Sequence, residues 1–144
     1  MWIVQIMKHE TLKQHIMKQG YPVQKFTQAT KRYCQQLDLV NDAALIEQYK
    51  YWHNSANTWP EITTGIRSVG ILEMEIYLHK NHAFMIVEVA TDFDWDTAFA
   101  RLSTLPRQAE WEAFVAKFQI SKAGASSDEK WQLMERIFAL TTCK

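Results

Sequence analysis

Hydrophobic positions along the chain switch between two spacings. In KRYCQQLDLV, residues 31–40, Tyr33, Leu37 and Leu39 share one parity, the pattern of a strand with a single apolar face. Asn41 or Asp42 is placed to cap a following helix, AALIEQYKYWH. Thr58 and Glu61 stand at capping-box spacing with Pro60 in the first turn, Ile62, Ile66 and Val69 recur at helical intervals, and Gly70 is a natural stop. The helical stretches on either side of Ser55-Ala56-Asn57 are compatible with one broken helix. ILEMEIYL, residues 71–78, alternates as a strand, His79-Lys80-Asn81-His82 reads as a turn, and AFMIVEV, residues 83–89, is its hairpin partner. Asp92 or Asp94 opens a helix carrying Trp95, Phe99 and Leu102. Pro106 opens another, with Trp111, Phe114, Val115 and Phe118 on one face. Residues 123–127 form a loop of small side chains.

Both ends of the chain are less periodic. In EKWQLMERIFAL, Trp131, Met134 and Phe138 suit a helix, while Met134, Arg136, Phe138 and Leu140 suit a strand. Strand–helix–strand–strand–helix leaves a split βαβ unit that a fourth strand completes, so a strand is expected from about Leu133 to Leu140. Residues 1–30 hold Ile3, Ile6, Leu12 and Ile16 without a clean stripe before Gly20-Tyr21-Pro22, and read as an N-terminal extension of unknown role. Residues 31–144 then form one α+β domain.

Composition narrows the function classes. Sixteen Lys+Arg balance sixteen Asp+Glu, so the excess of positive charge that a nucleic-acid binder or polybasic membrane protein needs is missing. The longest apolar stretch, about Ala83 to Val87, is far short of the roughly 20 residues of a membrane span. Lys8, His9 and Glu10 interrupt the apolar start before a signal-peptide core forms. Cys34 and Cys143 form no disulfide framework, and a reducing cytoplasm is the expected compartment. Aromatic residues make up 12%, enough for a bulky core or a stacking pocket.

Most catalytic signatures are missing from the sequence. The glycines do not cluster into a phosphate loop, and no Gly-x-Ser-x-Gly elbow occurs. His79 and His82 fall in a turn and read as solvated, while His9 and His15 have no partner at ligand spacing. The informative stretch is Tyr49-Lys50-Tyr51-Trp52-His53-Asn54, followed by Trp59-Pro60-Glu61. Tyr49 and His53, four apart, project from one helix face. His53 ends that helix, where the dipole favours the imidazolium and raises its proton affinity. An aromatic wall beside a titratable imidazole suits a sugar, whose C–H face stacks on aromatic rings. The same spacing also serves core anchors beside a helix-end hydrogen bonder.

These residues resemble the L-rhamnose mutarotase family. The resemblance rests on Tyr49-x-x-x-His53-Asn54, Trp59-Pro60-Glu61, Val69-Gly70-Ile71, Met74-Glu75-Ile76-Tyr77-Leu78 and Phe84-Met85-Ile86-Val87-Glu88, and spans residues 31–140. Leu105-Pro106-Arg107-Gln108-x-Glu110-Trp111 is similar to a branch serving L-fucose or a related 6-deoxy sugar. The resemblance implies a ferredoxin-like fold that dimerises into an α/β barrel. It also implies interconversion of the α and β anomers of a 6-deoxyhexose, without metal or organic cofactor. It places the family's proton-donating histidine on His53, a substrate-binding tyrosine on Tyr49, and the second tryptophan of a Trp pair on Trp111. Glu110 stands at the first position of that pair, and Met74 replaces a further substrate-contacting tyrosine. The spacer before Trp59-Pro60 is longer than the family's, and Trp59 is expected beside His53 as a pocket wall. Glu73, Glu75, Glu88, Tyr49 or a water are open choices for the complementary base. A cofactor-free monooxygenase or a binding module on the same barrel is the alternative.

Overall fold

The computed structural model describes residues 20–144. Most of the extension expected at residues 1–30 therefore lies outside the described residues. Residues 20–29 carry no regular element, and the Tyr21 ring meets Tyr77 edge-on at 5.8 Å. The order is β1 (Thr30–Asp38), α1 (Ala43–His53), α2 (Pro60–Ser68), β2 (Ile71–His79), β3 (His82–Ala90), α3 (Trp95–Leu102), α4 (Gln108–Val115), a short 3-10 turn (Ala116–Phe118), α5 (Ser127–Lys130) and β4 (Gln132–Leu133). The strands form one open sheet in the order β2-β3-β1-β4, with every pairing antiparallel. This is the ferredoxin-like α+β arrangement that the strand and helix pattern implied. Among the described residues no helix is long and apolar enough to cross a membrane.

Strand parity sets the core. Leu37 on β1 and Ala83, Met85, Val87 and Val89 on β3 share the buried face, and Gln35 shares it too. On β2 the parity changes. The register slips between Ile71 and Glu73, so Ile71 turns inward while Met74, Ile76 and Leu78 also pack on the core. Phe118, Leu39, Val87 and Val89 are the largest fully buried side chains. The hairpin turn is the two residues Lys80-Asn81, with Lys80 at φ 56. Asn81 ties this turn to the end of β1. Its carbonyl accepts from Leu39 N–H at 2.7 Å, and its amide nitrogen donates to the Leu39 carbonyl at 3.0 Å.

Four local expectations are corrected. The Thr58–Glu61 capping box does not form: Trp59 is the N-cap of α2 without a side-chain bond. The Thr58 hydroxyl donates instead to the Asn54 carbonyl at 2.9 Å, closing the loop that separates α1 from α2. Asn54 leaves helical geometry at ψ 137, so these are two helices and not one broken helix. Pro106 does not open α4; Arg107 intervenes in the left-handed region at φ 63, and the helix starts at Gln108. The strand expected from Leu133 to Leu140 shrinks to Gln132–Leu133 opposite Gln36 and Gln35, with Met134 N–H donating to the Cys34 carbonyl at 2.8 Å. Beyond that point Ile137, Phe138 and Leu140 are exposed, and a ladder whose apolar side chains pack on nothing gains little from continuing. The Asp42 cap does form, accepting from Leu45 N–H at 3.0 Å.

Candidate active site

Between the buried sheet face and the helices lies a cavity of about 330 Å³, within the range of small-molecule sites. Tyr49 and His53 enter it from α1, Met74 and Ile76 from β2, Met85 from β3 and Trp111 from α4. Helical spacing brings the Tyr49 and His53 rings together, tilted at 43° with centroids 4.1 Å apart. The indole of Trp111 meets the imidazole edge-on at 5.5 Å. The two parts of the sequence pattern, far apart along the chain, are thus joined in one pocket.

The histidine's hydrogen bond determines which of its nitrogens is available. Nδ1 lies 2.6 Å from the Tyr49 carbonyl, and a carbonyl only accepts, so Nδ1 carries the proton. Nε2 is left as the ring's free nitrogen. Burial lowers the His53 pKa below its ordinary value of 6.5, and the bond to the Tyr49 carbonyl only partly opposes this. The expectation that His53 would have a raised proton affinity is therefore corrected: the cavity takes the imidazole out of water, and that outweighs its bond to the Tyr49 carbonyl. Tyr49, 4% exposed, is pushed up to about 12 by burial, with a Gln119 side-chain hydrogen bond working the other way, so it is a neutral phenol.

Met74 and Glu73 line the cavity. Trp59 does not; it packs behind Trp111 at 5.1 Å and against Phe114 at 5.3 Å. Arg107 covers the outer face of Trp59 at 4.1 Å while pairing with Glu110 at 2.8 Å and Glu61 at 3.4 Å. Glu75 and Glu88 are outside the cavity, bonded to Tyr77 and Thr30 on the opposite sheet face. His82 pairs with Asp38 at 2.6 Å at the hairpin end.

Several wall residues went unnoticed in the sequence. Gln35, Gln108 and Gln119 are buried and line the cavity, as does Trp131. Gln35 did leave a signal, since a polar residue at the core-facing parity of a strand invites a polar cavity. Gln119 and Trp131 left none, because turns of the chain with no periodicity of their own deliver them. Trp131 is brought in by α5, which has a full capping box at Ser126 and Glu129 and is anchored by Lys130 Nζ donating to the Glu112 carbonyl at 2.7 Å.

The fold and pocket define a small ferredoxin-like α+β protein with an aromatic, histidine-bearing cavity. Its architecture matches a solved L-rhamnose mutarotase from Formosa agariphila with a TM-score of 0.59 at 20% identity, covering 76% of this chain and 98% of that one. In sequence, the chain is 40% identical over 111 residues to an L-fucose mutarotase of Xanthomonas campestris pv. campestris, covering 77% of this chain and 89% of the relative. It is 38% identical over 114 residues to a UPF0734 protein of Dictyostelium discoideum, covering 76% and 90%. Residues 32–140 match the family model described as L-rhamnose mutarotase. The chain belongs to the L-rhamnose mutarotase family, and with it to the isomerases that act on carbohydrates.

Proposed function

We propose that this enzyme interconverts the α and β anomers of a 6-deoxyhexose, L-fucose in preference to L-rhamnose, with His53 as proton carrier. The observation that carries the reading is the committed Nδ1 of His53. With that nitrogen on the Tyr49 carbonyl, Nε2 is left free in a monosaccharide-sized cavity walled by Trp111. The neutral imidazole takes the proton of the anomeric hydroxyl, and the electron pair left on O1 forms the C1=O1 carbonyl only as the C1–O5 bond breaks. It then delivers that proton to the ring oxygen as the C1–O5 bond breaks. Rotation about C1–C2 and reversal of both transfers close the other anomer. O1 and O5 share C1, so one nitrogen reaches both with little movement. Such a positioned acid–base group contributes on the order of 10²–10⁴-fold. No electron is gained or lost, so the chemistry itself calls for no redox cofactor.

Trp111 stacks on the sugar, Tyr49 bonds it, and Met74 replaces a hydroxyl-bearing wall with a thioether. The name of the 40%-identical relative supports L-fucose. A second copy of the chain is part of this reading. Leu133, Ile137, Phe138 and Leu140 are 66%, 91%, 68% and 75% exposed on the tail that follows β4 beside an open sheet, and a homodimer would cover them.

Saturation-transfer NMR on each sugar near anomeric equilibrium tests the assignment. Magnetisation is expected to pass between L-fucose anomers in the presence of the protein, and faster than between those of L-rhamnose. Equal or faster exchange of L-rhamnose would reject the preference, and no exchange of either sugar would reject the activity.

A further inference from the structure

Three buried glutamines line the cavity, and the proton transfer above uses none of them. An amide taken out of water is costly unless its donor and acceptor find partners. Gln108 is committed to the protein. Its Nε2 donates to Glu112 Oε1 at 3.2 Å, and the same oxygen accepts from Ser127 N–H at 3.1 Å, so this amide belongs to the anchor of α5. Gln119 offers a ligand no acceptor, because its Oε1 is sealed in the interior. Gln35 differs from both. Among the described residues its side chain makes no hydrogen bond, yet neither of its polar atoms is sealed as Gln119 Oε1 is. With the residue only 3% exposed, that amide opens onto the cavity with both of its ends free.

The strand holds Gln35 firmly in this place. It pairs with Met85 on β3 and with Leu133 on β4, and the short β4 runs only opposite Gln35 and Gln36. Directly paired residues share a face of the sheet, so Gln35 points the same way as the buried Met85, which also lines the cavity. The connection 39–42 turns the chain back over the sheet. From Asp38 back to Gln35 the strand rises about 10 Å, and from Ala43 on to Tyr49 the helix rises about 9 Å. Tyr49 therefore comes to lie above Gln35, and His53 lies about 6 Å further along the helix. That offset is comparable with the breadth of a pyranose and its hydroxyls. A sugar with its anomeric carbon at His53 has the far side of its ring over Gln35.

We propose that Gln35 is a specificity-determining residue: its amide binds the two adjacent hydroxyls on the side of the sugar remote from the anomeric carbon, O3 and O4. One hydroxyl donates to Oε1 and the other accepts from Nε2, which satisfies both ends of the amide. This rests on the anomer-exchange reading above. L-Fucose carries O4 axial beside an equatorial O3, whereas O4 of L-rhamnose is equatorial. An amide fixed by its strand to meet the first pair is a bond short with the second, and a buried polar group left unpaired is what rejects the wrong sugar.

Gln35→Met keeps the length of the side chain and removes both polar ends. Exchange of L-fucose should fall by about 10- to 100-fold in kcat/KM, the size of two hydrogen bonds. The loss should sit chiefly in KM, because O3 and O4 take no part in the bond changes. 4-Deoxy-L-fucose, which has no O4, gives the decisive comparison. It should be slower than L-fucose by about tenfold in the unsubstituted protein, and by no more than about twofold in Gln35→Met. A purely structural role predicts the same loss for both sugars. A discrimination against the 4-deoxy sugar that survives Gln35→Met, or none in the unsubstituted protein, overturns the proposal.

Thermal midpoints identify a variant that fails to fold. In that event the unsubstituted protein decides the matter: the side-chain amide signals of Gln35 should shift as L-fucose is added to saturation, and unmoved signals overturn the proposal. If the unsubstituted protein exchanges no anomers, the functional reading fails and takes this role with it. Normal exchange of L-fucose that Gln35→Met leaves unchanged removes the role alone.

Discussion

Acidification should act on this enzyme mainly through one buried imidazole. His53 lies against Tyr49 and Trp111 and has its Nδ1 proton on a backbone carbonyl at 2.6 Å, and burial lowers its pKa below 6.5. In the unfolded chain the same side chain titrates near its ordinary value of about 6.5. Between the two pKa values the unfolded state binds a proton that the folded state refuses. The contribution of His53 to stability is thus fully present above about pH 6.5 and is lost as pH falls toward the folded pKa, at no more than about 1.4 kcal/mol per pH unit for one group. Activity should follow the same neutral form, with a plateau through pH 7 to 8 and an acid limb below about 6.5.

The difference between wild type and His53→Gln isolates this residue, because every other titrating group cancels. His53→Gln also removes the bond to the Tyr49 carbonyl, a loss of about 0.5–1.5 kcal/mol in stability, whereas its cost in rate is on the order of 10²–10⁴-fold. Urea midpoints and saturation-transfer rates from about pH 4.5 to 8 measure both. A wild-type rate that declines as pH rises from about 6 to 8 would mean that the imidazolium is the resting form, and would refute the reasoning from burial.

Other substitutions probe the frame around that group. Trp111→Phe keeps an aromatic beside His53 but shortens the stacking wall; a rise in KM of about 3- to 10-fold is expected, from the 0.5–1.5 kcal/mol of an aromatic contact. Gly70→Ala should cost about 1 kcal/mol or more in thermal unfolding. Gly70 sits at φ 98, and the added Cβ would meet the Phe93 ring at 3.6 Å, so backbone strain and not space is the obstacle. Phe118→Ala, at a 1% exposed position, should destabilise by about 3–5 kcal/mol in urea. If the proposed homodimer uses the tail, the unsubstituted chain should sediment as a dimer and Ile137→Asp with Phe138→Asp as a monomer in sedimentation velocity; identical sedimentation of the two would remove the tail from that role.

Much of this architecture could be read directly from residue order. Alternation placed Tyr33 and Leu37 on one face of β1, with Leu39 just past its end on the same side of the core, and defined both hairpin strands, because a strand with one buried side must repeat every second residue. Helical spacing put Tyr49 over His53, and the side-chain cap at Asp42 is a purely local bond. What short-range rules could not reach was decided by packing. The Thr58 hydroxyl was drawn away from its cap by the Asn54 carbonyl, and the tail gave up its ladder where nothing covered Ile137 and Phe138. The proton affinity of His53 fell where a helix end suggested a rise, because dehydration in the cavity exceeds the effect of the Tyr49 carbonyl, and dehydration depends on neighbours from α4 and the sheet that no local pattern announces. Gln119 and Trp131 reached the pocket by the same route. Periodicity fixes which face of an element is apolar, but where two faces meet, and how much water remains between them, is settled only once the sheet and helices close on each other.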